Sequence, residues 1–259
     1  MPLAICIQHQ LESEEKAEKL RSLLDDVARV TLSEEPDNRA YCWFRKSPRS
    51  TLQGAWIAGF ELYNNEYALT TAHRSSPEYK AMRQASAEEQ LWGKVYPEII
   101  FLEPLNGWGF LSKDSRSSVL FKKSQSTLVV LTRFEFDAED KDVLYRTLSE
   151  LSDHLRAESG IISYLPLVRQ DRKDLSVTVF EQYTSEEAYA SFRANSAPLS
   201  AALGSTKWQV TATYWADGIG HIRGLEAAAK PKILSSDAPA VSIVPKLQAF
   251  PFQATESKA

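Results

Sequence analysis

Four histidines, two cysteines and several tyrosine–glutamate pairs are the side chains through which this sequence could do chemistry. His9, His73, His154 and His221 are scattered, and no HxxxH, HxH or CxxC spacing occurs, so no metal site is expected. A neutral imidazole still takes up a proton near neutral pH, which keeps each histidine a candidate for acid–base work. Cys6 and Cys42 are too few for a disulfide framework and read as small buried strand residues. His9 lies at an odd offset from Cys6 on an expected strand, which puts the two on opposite faces and denies the thiol a base. GxGxxG, GxxxxGK[ST] and GxSxG are all absent, so neither a nucleotide loop nor a hydrolase elbow is expected.

Bulk composition narrows the field further. Ten glycines in 259 residues disfavour a glycine-rich phosphate loop, and 43% hydrophobic with 25% charged residues suits a globular chain. A net charge of −4 lacks the electrostatic footprint of a nucleic-acid binder. The apolar run Met1–Ile7 stops at Gln8, too short for a signal peptide or a membrane span. The expectation is a soluble cytoplasmic protein with neither nucleic acid nor membrane as partner.

The elements that must position these residues come twice. Phe60-Glu61-Leu62-Tyr63-Asn64-Asn65-Glu66-Tyr67-Ala68 aligns with Phe180-Glu181-Gln182-Tyr183-Thr184-Ser185-Glu186-Glu187-Ala188 at an offset of 120, as F-E-x-Y-x-x-E-x-A. Glu35-Pro36-Asp37 through Tyr41 parallels Glu158-Ser159-Gly160 through Tyr164 at an offset of 123. In the first repeat the pattern predicts strands near 3–11, 39–46, 55–63 and 99–102. Its first helix carries Leu20, Leu23, Leu24, Val27 and Val30 on one face; a short helix follows over 65–73, and another starts at Ser76-Pro77. The second repeat predicts strands near 127–136, 161–169, 175–183 and 208–215. It adds a helix through Leu144, Leu148, Leu151 and Leu155, one capped at Thr184, and a short one near Pro198.

Each unit is therefore β-α-β-β-α-β, the ferredoxin-like plan, and the fold class is α+β. Trp56, Ala58, Phe60 and Leu62 alternate with Ile57, Gly59 and Tyr63, so these strands need a layer on both faces. Packing the two antiparallel sheets together as an intrachain α/β barrel supplies it. The expected organisation is unit 1 over 1–111, a linker over 112–126, unit 2 over 127–221 and a proline-containing extended tail over 222–259. Val119-Leu120-Phe121 is expected to dock from the linker, and Ile243-Val244, Phe250 and Phe252 from the tail.

E-[PS]-[DG]-x-x-x-Y, F-E-x-Y-x-x-E-x-A and, in the first unit, His73-Arg74-Ser75-Ser76-Pro77-Glu78-Tyr79 resemble the motifs of the antibiotic biosynthesis monooxygenase (ABM) family of dimeric α/β barrels. The resemblance implies cofactor-free oxygenation of an aromatic or phenolic secondary metabolite such as a polyketide. O2 is then the second substrate and no cofactor is needed. It also implies a monomer with an intrachain pseudo-dimer, or a homodimer. There are departures. The family's helix histidine lies four residues after the motif Ala, where this chain has Ala72 and Phe192; His73 lies one residue further on and is matched by Arg193. The family's Trp after E-x is Tyr63 and Tyr183, and Met82 stands near the histidine of haem-degrading relatives, which disfavours haem degradation.

On this resemblance His73 is the candidate base, Tyr63 and Tyr41 are hydroxyl donors, and Trp43, Trp56, Trp92, Tyr67 and Glu61 are candidate substrate contacts. A repeated strand-end acid such as Glu61 or Glu181 equally suits a structural role, and aromatics equally suit a core. Unit 1, with the histidine and four of the six tryptophans, is the expected active unit. Two alternatives stand beside the monooxygenase: a cyclase or isomerase using the same acid–base groups without O2, and a non-catalytic small-molecule-binding or interaction protein.

Overall fold

Strands that are apolar on both faces cannot end in an open, one-sided sheet, and here the sheet closes on itself. A computed structural model describes residues 1–223 apart from 95, 98, 106–107, 114–117, 122–126 and 172–173. The expected tail anchors Ile243, Val244, Phe250 and Phe252, and most of the linker, lie outside the described residues. Unit 1 runs β1 (Leu3–Leu11), α1 (Glu14–Glu34), β2 (Asn38–Lys46), β3 (Ala55–Tyr63), a π-helical turn (Ala68–His73), α2 (Pro77–Glu88) and β4 (Ile100–Pro104). A short strand β5 (Ser118–Phe121) follows. Unit 2 runs β6 (Leu128–Phe136), α3 (Lys141–Ala157), β7 (Ile161–Arg169), β8 (Ser176–Tyr183), α4 (Glu186–Asn195), α5 (Ala197–Gly204) and β9 (Trp208–Arg223).

Local signals account for the helix starts. The Ser13 and Ser76 hydroxyls accept from the N–H groups of Lys16 and Tyr79, and Pro77 occupies the first turn of α2, where its missing N–H costs nothing. In unit 2 the cap is Ser185, not the expected Thr184. Ser185 accepts from the Ala188 N–H, whereas the Thr184 hydroxyl donates to the Gly160 carbonyl.

All strand pairs are antiparallel, in the order β2-β3-β1-β4-β7-β8-β6-β9-β5, and β2 also pairs with β9 to close an eight-stranded barrel. The two seams follow one rule: the last strand of each unit pairs with the second strand of the other. β4 meets β7 through Leu102↔Arg169 and Pro104↔Leu167, and β9 meets β2 through Ala40↔Ile222 and Tyr41↔His221. β9 is longer than its apolar pattern suggested. Its first half pairs with β6, and from Trp215 onward, across Asp217 and Gly218, it pairs with β2. Val119, Leu120 and Phe121 dock as β5 along β9.

Alternation then divides the core into three parts. Ala58, Phe60 and Leu62 of β3 point into the barrel with Phe44, Leu131, Leu165, Phe180 and Trp215. Phe60 and Phe180, the same position of the two repeats, stack at 4.2 Å across the interior. Leu20, Leu24 and Val27 of α1 cover Ile57 and Tyr63 on the outer face of unit 1, and Leu144, Leu148 and Leu151 of α3 cover Val177 and Val179 in unit 2. Cys6 and Cys42 are buried, and burial pushes the Cys6 thiol up to about 12. Among the described residues no helix is long and apolar enough to cross a membrane.

Two buried titratable groups make folding respond to pH with opposite signs. Burial lifts the Glu181 carboxyl to about 7 from 4.5, although Tyr183 hydrogen-bonds it at 2.7 Å. Burial, aided by Arg223, lowers His221 from 6.5 to about 4. As pH rises from about 4.5 to 7, folded Glu181 retains a proton that the unfolded chain releases, so stability falls. As pH rises from about 4 to 6.5, the unfolded chain releases a proton that folded His221 never held, so stability grows. Each effect is worth up to about 3 kcal/mol over its window, and they oppose each other in the native chain. Thermal melts across this range should therefore diverge for single variants. Relative to the native protein, Glu181→Gln gains stability more steeply with rising pH, and His221→Leu loses it more steeply.

Candidate functional site

β2 and β3 present Tyr41, Trp43, Gly59, Glu61 and Tyr63 to the helix-covered side of unit 1, because each alternates with a residue of the barrel interior. Gly59 is required by packing. A Cβ there would fall 2.5 Å from the Trp43 ring, so glycine lets the indole lie flat on β3. Trp92 packs on Trp43 with ring centroids 6.0 Å apart, and the His9 Nε2–H donates to the Trp92 carbonyl at 2.8 Å.

The histidine reaches this face through the π-helical turn. In an α-helix the residue four after Ala68 would share its face, and that residue is Ala72. The wider turn, with the Arg74 N–H donating to the Leu69 carbonyl, moves the inward position one residue on. Ala72 is therefore exposed and His73 buried. In unit 2 the same segment is a regular α-helix, so Phe192, four after Ala188, turns inward, and Arg193 is exposed.

His73 is 1% exposed, and its Nδ1 lies 3.2 and 3.1 Å from the two carboxylate oxygens of Glu35. A carboxylate only accepts, so Nδ1 carries a proton, and in the neutral imidazole Nε2 then presents a lone pair. No protein atom among the described residues hydrogen-bonds Nε2. The imidazole is ringed by Tyr79, Tyr41 and Tyr63, at centroid distances of 4.8, 5.3 and 5.6 Å. The Tyr63 hydroxyl donates to Glu61 Oε2 at 2.8 Å. Burial raises the Glu61 carboxyl, and burial with the nearby Glu61 charge holds the Tyr41 and Tyr63 hydroxyls well above 10. Both phenols are thus protonated at neutral pH, and the Tyr63 proton is committed to Glu61.

Of the residues singled out in the sequence, His73, Tyr41, Tyr63, Glu61, Trp43 and Trp92 come together. Trp56 and Tyr67 do not. Trp56 has the barrel-side parity of β3, packs at that end of the interior and donates its indole N–H to the Gln53 carbonyl. Tyr67 precedes the π turn and is 67% exposed. Sequence reasoning missed Glu35, Tyr79 and Asn38. Glu35 and Tyr79 sit inside the quoted motifs, but nothing local says that the end of α1 meets the π turn 38 residues later.

The two units differ in unsatisfied polar groups on this face. On the unit 1 face the Asn38 amide, His73 Nε2 and, from β9 opposite Tyr41, both ring nitrogens of His221 are buried without partners among the described residues. Asn38 is matched by Ile161, and the helix-covered face of unit 2 holds no such atom among the described residues. Unit 2 instead has a cavity of about 270 Å³, open to solvent and lined by His154, Glu158, Ile161, Ala188, Phe192 and Ser196 among others.

Residues 127–201 match the family model for antibiotic biosynthesis monooxygenase. No curated protein matches the chain. Among solved structures, a candidate monooxygenase from Lactobacillus acidophilus is similar over 87% of this chain and 99% of its own, at 12% identity and a TM-score of 0.65. One from Fusobacterium nucleatum is similar over 86% of this chain and 96% of its own, at 12% identity and a TM-score of 0.67. An anthrone oxidase-like protein is similar over 88% of this chain and 96% of its own, at 13% identity and a TM-score of 0.52. At these identities the likeness is one of fold.

The Gly59–Trp43 contact can be tested directly. Gly59→Ala should displace the Trp43 ring and cost about 1–3 kcal/mol by overpacking, read as altered near-UV circular dichroism and an earlier denaturant midpoint. Gly204→Ala, whose added Cβ meets nothing within 4 Å, should change neither.

Proposed function

We propose that the chain is a tandem ABM-like protein and that unit 1 is a cofactor-independent monooxygenase site for an aromatic or phenolic small molecule. The observation that carries this reading is His73: a buried imidazole with one nitrogen anchored and the other without a partner among the described residues, surrounded by aromatic rings. Such a group is built to take an acidic C–H or O–H proton from a flat ligand.

Anthrone, the substrate class in the name of one structural neighbour, illustrates the required chemistry. His73 Nε2 removes a proton from the methylene carbon, and the resulting anion passes an electron to O2. Recombination forms a carbon-bound peroxide, and loss of water leaves the quinone. Overall, anthrone and O2 give anthraquinone and water; the methylene carbon loses four electrons and O2 gains them. The substrate is its own reductant, so the protein's part is to bind it, remove the proton and exclude water. The Tyr41 hydroxyl, held protonated, donates to the developing oxyanion. Trp43 and Trp92 form an apolar wall, and the Tyr63–Glu61 pair a fixed polar one.

Tyr41, Trp43, Tyr63 and His73 are all nearly inaccessible, so substrate reaches them by displacing their cover. α1 forms much of that cover, and α2, which buries only Met82 and Ser86 and whose Tyr79 stands edge-on to His73, is its more weakly held part. Oxygen electrode traces with mass-spectrometric product analysis, using anthrone and 1,8-dihydroxyanthrone, test the proposal. The native protein should consume O2 and form quinone in equal amounts, and His73→Ala should lose about 10²- to 10⁴-fold in kcat. Unchanged turnover in His73→Ala would remove the base assignment. An isomerised product without O2 uptake would move the site to the cyclase or isomerase class.

A further inference from the structure

We infer that Glu35 is a positioning residue that holds His73 in the Nδ1–H tautomer and thereby makes Nε2 the proton-accepting atom. The inference deepens the proposed function and rests on it. Glu35 is the residue at which α1 ends. Its N–H donates to the Thr31 carbonyl and its own carbonyl accepts from the Asn38 N–H, so the backbone is pinned on both sides of the side chain. His73 is placed independently, by the π turn. The two meet with Nδ1 near both carboxylate oxygens and with both side chains buried, 1% and 8% exposed. Such a pair has few alternative arrangements, because rotating either group would leave a buried polar atom unsatisfied.

Two consequences follow for proton transfer. An imidazole has two neutral tautomers, and only the one protonated at Nδ1 presents a basic Nε2 to a ligand. Once Nε2 takes a proton, the imidazolium lies about 3.1 Å from a carboxylate that stabilises the new charge without moving. The second repeat shows that the acid alone does not create the pair. Glu158, the match of Glu35, is half exposed and lies 4.0 Å from His154 of its own helix. Arg193, the match of His73, donates to the Tyr189 hydroxyl instead. A glutamate at this helix end belongs to both repeats, and in unit 1 alone the π turn brings an imidazole to it.

Long-range proton–nitrogen NMR of the 15N-labelled protein reads the tautomer without any substrate, with the His73 signals assigned by their loss in His73→Asn. The native protein should show a protonated Nδ1 and an unprotonated Nε2. Glu35→Gln, whose amide both donates and accepts, should give a mixed or inverted tautomer. Its kcat with 1,8-dihydroxyanthrone should fall about 10- to 100-fold while KM changes less than about threefold. Glu35→Asp, which keeps the carboxylate, should retain the native tautomer and guards against a Glu35→Gln protein that fails to fold. A native His73 protonated at Nε2, or a Glu35→Gln protein with native tautomer and native kcat, would overturn the inference. A tautomer change in a protein that consumes no oxygen with either anthrone would support the positioning role and overturn the oxygenase reading instead.

Discussion

Closure of the barrel is the constraint on which the rest of this structure depends. Each four-stranded sheet is apolar on both faces, and its helices cover only one. The exchange of last strands, β4 onto β7 and β9 onto β2, turns both uncovered faces inward and leaves no open edge in the ring. The interior is then filled by side chains, with Phe60 on Phe180 across the repeats, so it offers a packed core and not a ligand channel. Any site must lie in the outer layers, between helices and sheet.

The same exchange sets the geometry of the candidate site. β9 belongs to the second repeat by sequence order, yet its far half lies beside β2 and beneath α1. From there the Arg223 guanidinium donates to the Thr31 and Leu32 carbonyls at the end of α1, while buried Arg21 of α1 donates to the Asp217 carbonyl where β9 bends. The end of α1 is thus tied to the second repeat, and that end carries Glu35. The path from barrel closure to the imidazole is short and physical: seam, strand, helix terminus, carboxylate, His73.

The two repeats share the scaffold and differ in the residues of the candidate site. The Tyr63–Glu61 and Tyr183–Glu181 hydrogen bonds are 2.8 and 2.7 Å, the same buried contact in both halves. This favours a role for that pair in holding strand ends to the helices, whatever else it does for a ligand. The differences gather around the helix-covered face: Asn38 against Ile161, Gly59 beneath Trp43 against Val179, His73 against Arg193. Among the described residues they leave buried polar atoms without partners on the unit 1 face, a cost a fold retains where a ligand or water meets them. At the equivalent positions unit 2 turns Ile161 and Phe192 inward, beside a cleft open to solvent.

The sequence by itself determined the repeats, the order of the elements and the face on which each strand residue lies. Those properties follow from local periodicity, caps and turn chemistry, and β1, β2, β3, β6 and β7 fall within a residue of the strands they predict. Parity alone puts Tyr41 with Trp43 and Glu61 with Tyr63; the register of β2 on β3 puts the two pairs on one side. Tertiary structure decided what those residues meet. The π turn, one residue wider than an α-turn, exchanged Ala72 for His73 as the inward residue, a shift that no apolar spacing announces. Trp56 lies on the barrel side that its alternation with Tyr63 already implied, whereas the exposure of Tyr67 was decided by the fold. Glu35 reached His73 because α1, pinned by Arg21 and Arg223 to a strand from the other repeat, ends where the π turn passes. Periodicity reports which way a side chain points; the packing of elements distant in sequence decides which side chain it finds there.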